Sequence, residues 1–295
     1  MRHSLMLVGL LSLFCLAQAQ PVEYTRAVVS TTLEVIAPEN EDPSGFSGGN
    51  EGRGGMNFRN MLDGETKITT YVKGDKMKTS IKSEVIKSSI YRDHSTKTTT
   101  TVFQMMGEER AFFATDQDMV DMQRARDSMM EQRRNRPSDS GAMRRPPGRD
   151  RTPTDVVLVN TSETKKIAGK TCMKAYLVST LLLGNKDSTV IWYCPDFKIK
   201  NIVSPGSLNM LPMMGNMMPG GLQGLDKVPG FVMRYETRFR RDRLVQVEVT
   251  KIELDKEISD KEFEVSSSVE VKPIKEMQNM FGPGGRGGGF NRMRD

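Results

Sequence analysis

The sequence predicts a mainly β, α+β fold built on an antiparallel meander. Three observations carry this expectation. Short runs rich in valine, isoleucine, threonine and aromatic residues recur along the chain, with turn residues between them. One stretch only, Asp116 to Arg134, carries apolar residues at helical spacing. Glycine, proline and methionine gather in a few low-complexity stretches, so the folded part is shorter than the 295-residue chain.

The first strand is expected over Val22 to Ile36 (VEYTRAVVSTTLEVI), which breaks at Pro38. A flexible insertion follows over 38–57. Short strands are then expected over Thr66–Lys73, Lys76–Ile81, Glu84–Tyr91, Thr98–Met105 and Arg110–Ala114, with Gly74-Asp75 as a turn signal. In the helical stretch Met119, Met122, Met129 and Met130 recur between charges. Thr115 or Asp116 can cap its start, and it should fail by Pro137. Residues 136–153 form a second low-complexity linker.

The second half is the clearer β region. A strand over Val156–Val159 precedes a turn at Ile167–Lys170 that includes Gly169. Thr171–Leu181 and Ser188–Tyr193 form a hairpin around Gly184 to Asp187. After a long loop at 204–229, Phe231–Arg240 and Leu244–Leu254 make another strand pair. A final short strand or edge segment follows Ser259 to Phe263. The glycine-rich tail, 282–295, is expected to be disordered. The chain from 20 to 281 is thus expected to be a single β-rich domain with three flexible insertions.

The first 19 residues have the three parts of a signal peptide. Arg2 and His3 are basic, Leu5 to Leu16 is apolar, and Ala17-Gln18-Ala19 is a small-x-small cleavage site before Gln20. The apolar run is too short for a membrane anchor. Lipidation at Cys15 would place the bulky Phe14 where a small residue is expected. Export to the periplasm, or to an extracellular or outer-membrane-associated position, is the localisation expected. The net charge of +6 falls by one with Arg2, which leaves a mildly basic chain and no case for nucleic-acid binding. Nine arginines against four acids between Arg124 and Arg151 read either as a patch for phosphate-bearing partners or as a solvated helix and linker. No later segment is apolar for long enough to span a bilayer, so any envelope association is peripheral.

Chemistry is sparse. Beyond the leader there is one histidine, His94, on which any Ser-His-Asp triad or Cys-His pair would depend. Two cysteines, Cys172 and Cys194, remain. In an exported chain they are expected to form one disulfide across the hairpin, with two buried thiols as the alternative. Several histidines or four cysteines for a zinc site are lacking. Gly282 to Gly289 has no lysine or Ser/Thr to make it a phosphate loop. No cofactor is implied, and no enzymatic activity is expected. Met210, Met213, Met214, Met217 and Met218 lie within nine residues. Thioethers suit Cu(I), whereas a flexible apolar loop over a sheet or groove needs methionine equally. Trp192, beside Tyr193 and Cys194, is either a ligand contact or a core aromatic.

Glu163 to Ala175 (ETKKIAGKTCMKA), followed by Trp192-Tyr193-Cys194-Pro195, resembles a recurring stretch in exported bacterial domains of unknown function. Gly221-Leu222-Gln223-Gly224-Leu225, with Pro229-Gly230-Phe231-Val232-Met233, is similar to the signature of the GLPGLI family, with Gln223 in place of the motif's proline. Ile258 to Phe263 resembles the close of related domains. These families resemble the LolA/LolB lipoprotein carriers. The resemblance implies a strongly curved antiparallel sheet, an incomplete barrel, with helices or loops over a concave face that holds acyl chains. The ligand does not follow from the resemblance; the function expected is a non-enzymatic carrier for an apolar ligand or lipoprotein segment, with Trp192, Phe231, Met233, Met213 and Met217 as candidate ligand contacts. Val28, Phe103 and Phe113 are further core or groove expectations. The alternatives are an envelope interaction protein without a small ligand, and a Cu(I)-handling protein using the five loop methionines.

Overall fold

A computed structural model describes residues 20–36, 64–84, 87–105, 108–134, 153–181, 186–202, 204, 224–238 and 243–276. The leader, the 38–57 insertion, the linker over 136–152 and the tail fall outside these residues.

The first half is a meander. A short strand β1 (Val22–Tyr24) precedes β2 (Arg26–Ile36), β3 (Gly64–Lys73), β4 (Lys76–Lys82), β5 (Lys87–Asp93), β6 (Thr98–Met105) and β7 (Glu108–Thr115), and the helix α1 (Asp116–Arg134) follows. The second half contains β8 (Pro153–Ile167), β9 (Lys170–Leu181), β10 (Lys186–Cys194), β11 (Phe197–Ile199), β12 (Phe231–Arg238), β13 (Leu244–Leu254) and β14 (Val271–Pro273). Twelve strands make one sheet in the order β14-β7-β6-β5-β4-β3-β2-β13-β12-β10-β9-β8; β1 and β11 pair in parallel as a separate ribbon. Among the described residues the two edges, β8 and β14, do not meet, so the sheet is curved and open rather than closed into a barrel.

The longest pairing between the halves is a seam inside the main sheet. β13 pairs antiparallel with β2 from Leu244↔Ile36 to Leu254↔Ala27, with a bulge between Val249 and Lys251. Strand alternation then decides what is inside. Thr66, Ile68, Thr70 and Val72 on β3 are buried, as are Met77, Thr79 and Ile81 on β4, while the residues between them are half-buried or exposed. Leu33 pairs with Val247 on one side and Thr66 on the other, so this buried face is continuous across the seam. Inward side chains from β5 (Ile90) to β8 (Val156) form one apolar cluster with Leu33, Leu177, Ile191, Tyr235 and Val247. A second cluster gathers Ala27, Val29, Val72 and Val249 with Phe197, Phe231 and Met233.

Local chemistry sets the turns and caps. Ala168 and Gly169 both have positive φ (47° and 78°), as a two-residue hairpin turn between β8 and β9 requires. Thr115 and Asp118 cap α1 reciprocally. The Thr115 N–H and hydroxyl donate to Asp118 Oδ2 (2.9 and 2.7 Å), and the Asp118 N–H donates back to Thr115 Oγ1 at 3.1 Å. Met119 and Met122, with Phe103, pack against the cluster of Phe112, Ala114 and Ile274. The C-terminal segment is a strap. Asp255 pairs with Arg26, Asp260 with Lys73 and Glu262 with Lys78, after which β14 adds in parallel to β7.

The structure changes several expected boundaries. The first strand is interrupted at Thr25, because β1 leaves the main sheet to pair with β11. The linker ends at 152, since Pro153 already opens β8, which runs to Ile167 as the outermost strand. The end of the 204–229 loop is packed: a 3-10 helix, Leu225–Lys227, buries Leu225 in the first cluster, with Val228 beside it, and Lys227 Nζ donates to the Val156 carbonyl. Phe113 is exposed, and its neighbour Phe112 takes the inward position opposite Thr101.

The seam makes Leu33 a sensitive position. Leu33→Ala is expected to lower unfolding stability by about 2–5 kcal/mol, read from urea denaturation. Val157→Ala, at a half-exposed position on β8, is expected to stay within about 0.5 kcal/mol of the parent.

Candidate functional site

Residues singled out in the sequence fall in three places. Phe231 and Met233, fully buried on β12, share the second cluster with Cys172, Cys194 and the partly buried Trp192. Met213 and Met217, and the copper alternative of Met210, Met213, Met214, Met217 and Met218, lie outside the described residues. His94 lies apart, in the turn between β5 and β6.

The aromatic–thiol corner is built by the end of the β9–β10 hairpin. Met173 pairs with Tyr193, which puts Cys172 and Cys194 next in line on neighbouring strands. Both are buried and both are free thiols in this structure. Cys172 Sγ turns toward the Lys170 carbonyl (3.5 Å) and Cys194 Sγ toward Asp196 Oδ2 (3.7 Å). Burial, with Cys194 close by, pushes the Cys172 thiol up to about 12, and burial also raises Cys194, so neither is a ready nucleophile. Phe197 stacks on Phe231 with ring centroids 5.5 Å apart. A methyl group at Gly230 would come 2.1 Å from the Cys194 carbonyl oxygen, so only glycine lets β12 begin so close to β10. Trp192 lies within 5.8 Å of the Lys174 ammonium, which also pairs with Glu163 at 2.9 Å. Arg234, paired with Trp192 in the register, is held by Glu236, Glu248 and Gln246. Its charge is already matched, which makes this an internal network rather than an anion site.

The buried polar groups have a different character. The buried polar residues among those described are all threonine or serine: Thr31, Thr66, Thr70, Thr79, Ser88, Thr101, Ser179, Thr189, Ser204 and Thr237. Several bond to each other or to the backbone, as Thr70 does to Thr79 (3.2 Å), Thr189 to Thr237 (3.3 Å) and Ser88 to the Val102 carbonyl (2.9 Å). Tyr193 donates to Asn160 Oδ1 at 3.1 Å. Tyr235 is fully buried, and its hydroxyl has no hydrogen-bond partner. Sequence reading passed over Tyr235; its signal was its place two and four residues after the apolar Met233 and Phe231.

His94 sits in the turn between β5 and β6, near Asp75, Asp93 and Asp116. Its backbone N–H donates to the Asp75 backbone carbonyl at 2.8 Å, and its ring Nε2 is buried without a partner. Beside it Arg92 makes a two-pronged pair with Asp116 at 2.6 and 3.0 Å and donates to Thr99 at 3.0 Å, tying the start of α1 to β5. Among the described residues no three of His, Cys, Asp or Glu gather as a metal site, and no helix is long and apolar enough to cross a membrane.

No protein-family model matches the chain, and no curated protein matches it. Solved structures give distant likenesses. PNGF-II in its C2 crystal form shares 13% identity at a TM-score of 0.38, over 86% of this chain and 32% of that one. Its P21 form gives 12% and 0.36, over 87% and 33%. The present chain thus spans about a third of PNGF-II. A putative outer membrane lipoprotein-sorting protein domain from Vibrio parahaemolyticus shares 6% identity at a TM-score of 0.18, over 81% of this chain and 88% of that domain. Likenesses this distant establish no function, and the GLPGLI resemblance rests on the motif residues alone.

Desolvation, and then the Arg92 charge, hold the His94 pKa below the usual histidine value, against the weaker pull of Asp75, Asp116 and Asp93. The unfolded chain therefore takes up the proton first, and stability falls as pH drops below the ordinary histidine range. Urea midpoints of the parent should fall between about pH 7.5 and 5.5, and those of His94→Gln should fall less.

Proposed function

We propose that this protein is a non-enzymatic carrier that holds an apolar ligand, a lipid or the acyl part of a lipoprotein, against the inner face of its curved sheet. The observation that supports this reading is the character of the buried face. Leu33, Ile68, Ile81, Ile90, Leu177, Ile191 and Val247 form one contiguous buried apolar cluster, and the buried polar residues among those described are serine and threonine. Such a face suits hydrocarbon and offers acid–base or nucleophilic chemistry no buried carboxylate, imidazole or amine to start from. The sheet is open at β8 and β14, so it can part without breaking a closed ring of strands. The signal-like leader supports action in the periplasm or at the outer membrane.

Protein purified from its native compartment, extracted with organic solvent and analysed by mass spectrometry, should yield a reproducible lipid near one equivalent. Extracts free of lipid across preparations would favour an envelope interaction protein instead.

In the same compartment Cys172 and Cys194 are proposed to form a cross-strand disulfide. Exchange with a disulfide donor forms the Sγ–Sγ bond, and the donor leaves as two thiols. The bridge would close a loop of about 20 residues and stabilise by roughly 3 kcal/mol. Alkylation under denaturing conditions without reductant should modify neither cysteine; modification of both would remove the proposal.

A further inference from the structure

The Tyr235 hydroxyl points to the chemistry of what the sheet holds. Tyr235 is fully buried on β12, between Ile191 of β10 and Val247 of β13, within the first apolar cluster. Its ring contributes apolar surface, but its hydroxyl has no partner. A buried, unsatisfied hydroxyl costs about 1–3 kcal/mol. Phenylalanine would fill the same space without that cost. The other large inward tyrosine, Tyr193, is bonded to Asn160, so this fold satisfies a tyrosine where a partner is available.

We propose that Tyr235 donates a hydrogen bond to a neutral carbonyl, that of an ester or amide, at the head of a bound hydrocarbon chain; this rests on the carrier reading above. Three features select the class. A phenol this deeply buried stays protonated and donates. No cation is among the buried residues described, so an ionised carboxylate or phosphate brought to Tyr235 would be desolvated without a counter-charge. Its cross-strand partners, Ile191 and Val247, are aliphatic, as are most residues of the cluster, which suits an acyl chain on either side of the carbonyl.

The test compares ligands that differ only at the head. Delipidated parent protein and Tyr235→Phe are titrated with methyl laurate, with dodecane and with laurate at neutral pH, and binding is read by displacement of a fluorescent acyl probe. The parent is expected to bind the ester about tenfold more tightly than the alkane and to bind ionised laurate more weakly than the ester. Tyr235→Phe should bind ester and alkane alike while holding the alkane as the parent does, which also shows that the variant is folded. An ester preference that persists in Tyr235→Phe overturns the assignment of Tyr235 and leaves the carrier reading standing. So does a parent that binds ester and alkane equally, which would make the hydroxyl the site of a buried water. Failure of the parent to bind any of the three overturns both.

Discussion

The pairing of β13 with β2 is the constraint on which the structure depends. Each half of the chain is a run of near-neighbour antiparallel pairs, and each by itself would be a sheet with a bare apolar face. The seam from Leu244↔Ile36 to Leu254↔Ala27 places those faces in register, so that Leu33 and Val247 belong to the same surface as Ile81, Ile90 and Leu177. A slip of one residue would turn Leu33, Thr31 and Val29 outward and bring Thr32 and Glu34 inside. The seam also joins residues more than two hundred positions apart, so its closure is a long-range step in folding.

Around this seam the molecule spends its polar chemistry on holding shape. Arg92 fixes α1 to β5 through Asp116, Arg234 binds Glu236 and Glu248 across β12 and β13, and Lys73 and Lys78 hold the C-terminal strap. These ion pairs are saturated by their partners. Among the buried side-chain polar atoms of the described residues, those without a partner are the Tyr235 hydroxyl inside the first cluster and the His94 Nε2 at a turn. That contrast favours the proposed ligand, a hydrocarbon chain with one acceptor.

Much of the fold could be read from the sequence. Helix α1 runs from Asp116 to Arg134 as expected, because methionine spacing, a threonine cap and the downstream Pro137 all act within one segment. The strands over 98–105 and 244–254 likewise match, being bounded by turn residues. The site was legible only in part. Phe231, Met233, Trp192 and the two cysteines do share one cluster, but Phe113 was favoured over Phe112, since two adjacent phenylalanines carry no local sign of which faces in. Tyr235 was missed because β12 is apolar at Phe231, Val232 and Met233 in succession, and the bulge opposite Trp192/Tyr193 hides its two-residue period.

The sequence by itself determined most of the strands, the helix and its cap, and the absence of clustered histidines or cysteines, because propensity, turn chemistry and composition act over a few neighbouring residues. Tertiary structure decided which face of each strand is buried, that β1 leaves the sheet for β11, that Cys172 and Cys194 become neighbours, and that Tyr235 is sealed away from a partner. Those outcomes depend on which distant strand lies alongside. Side-chain parity is set by the register between strands, and no single segment carries that register.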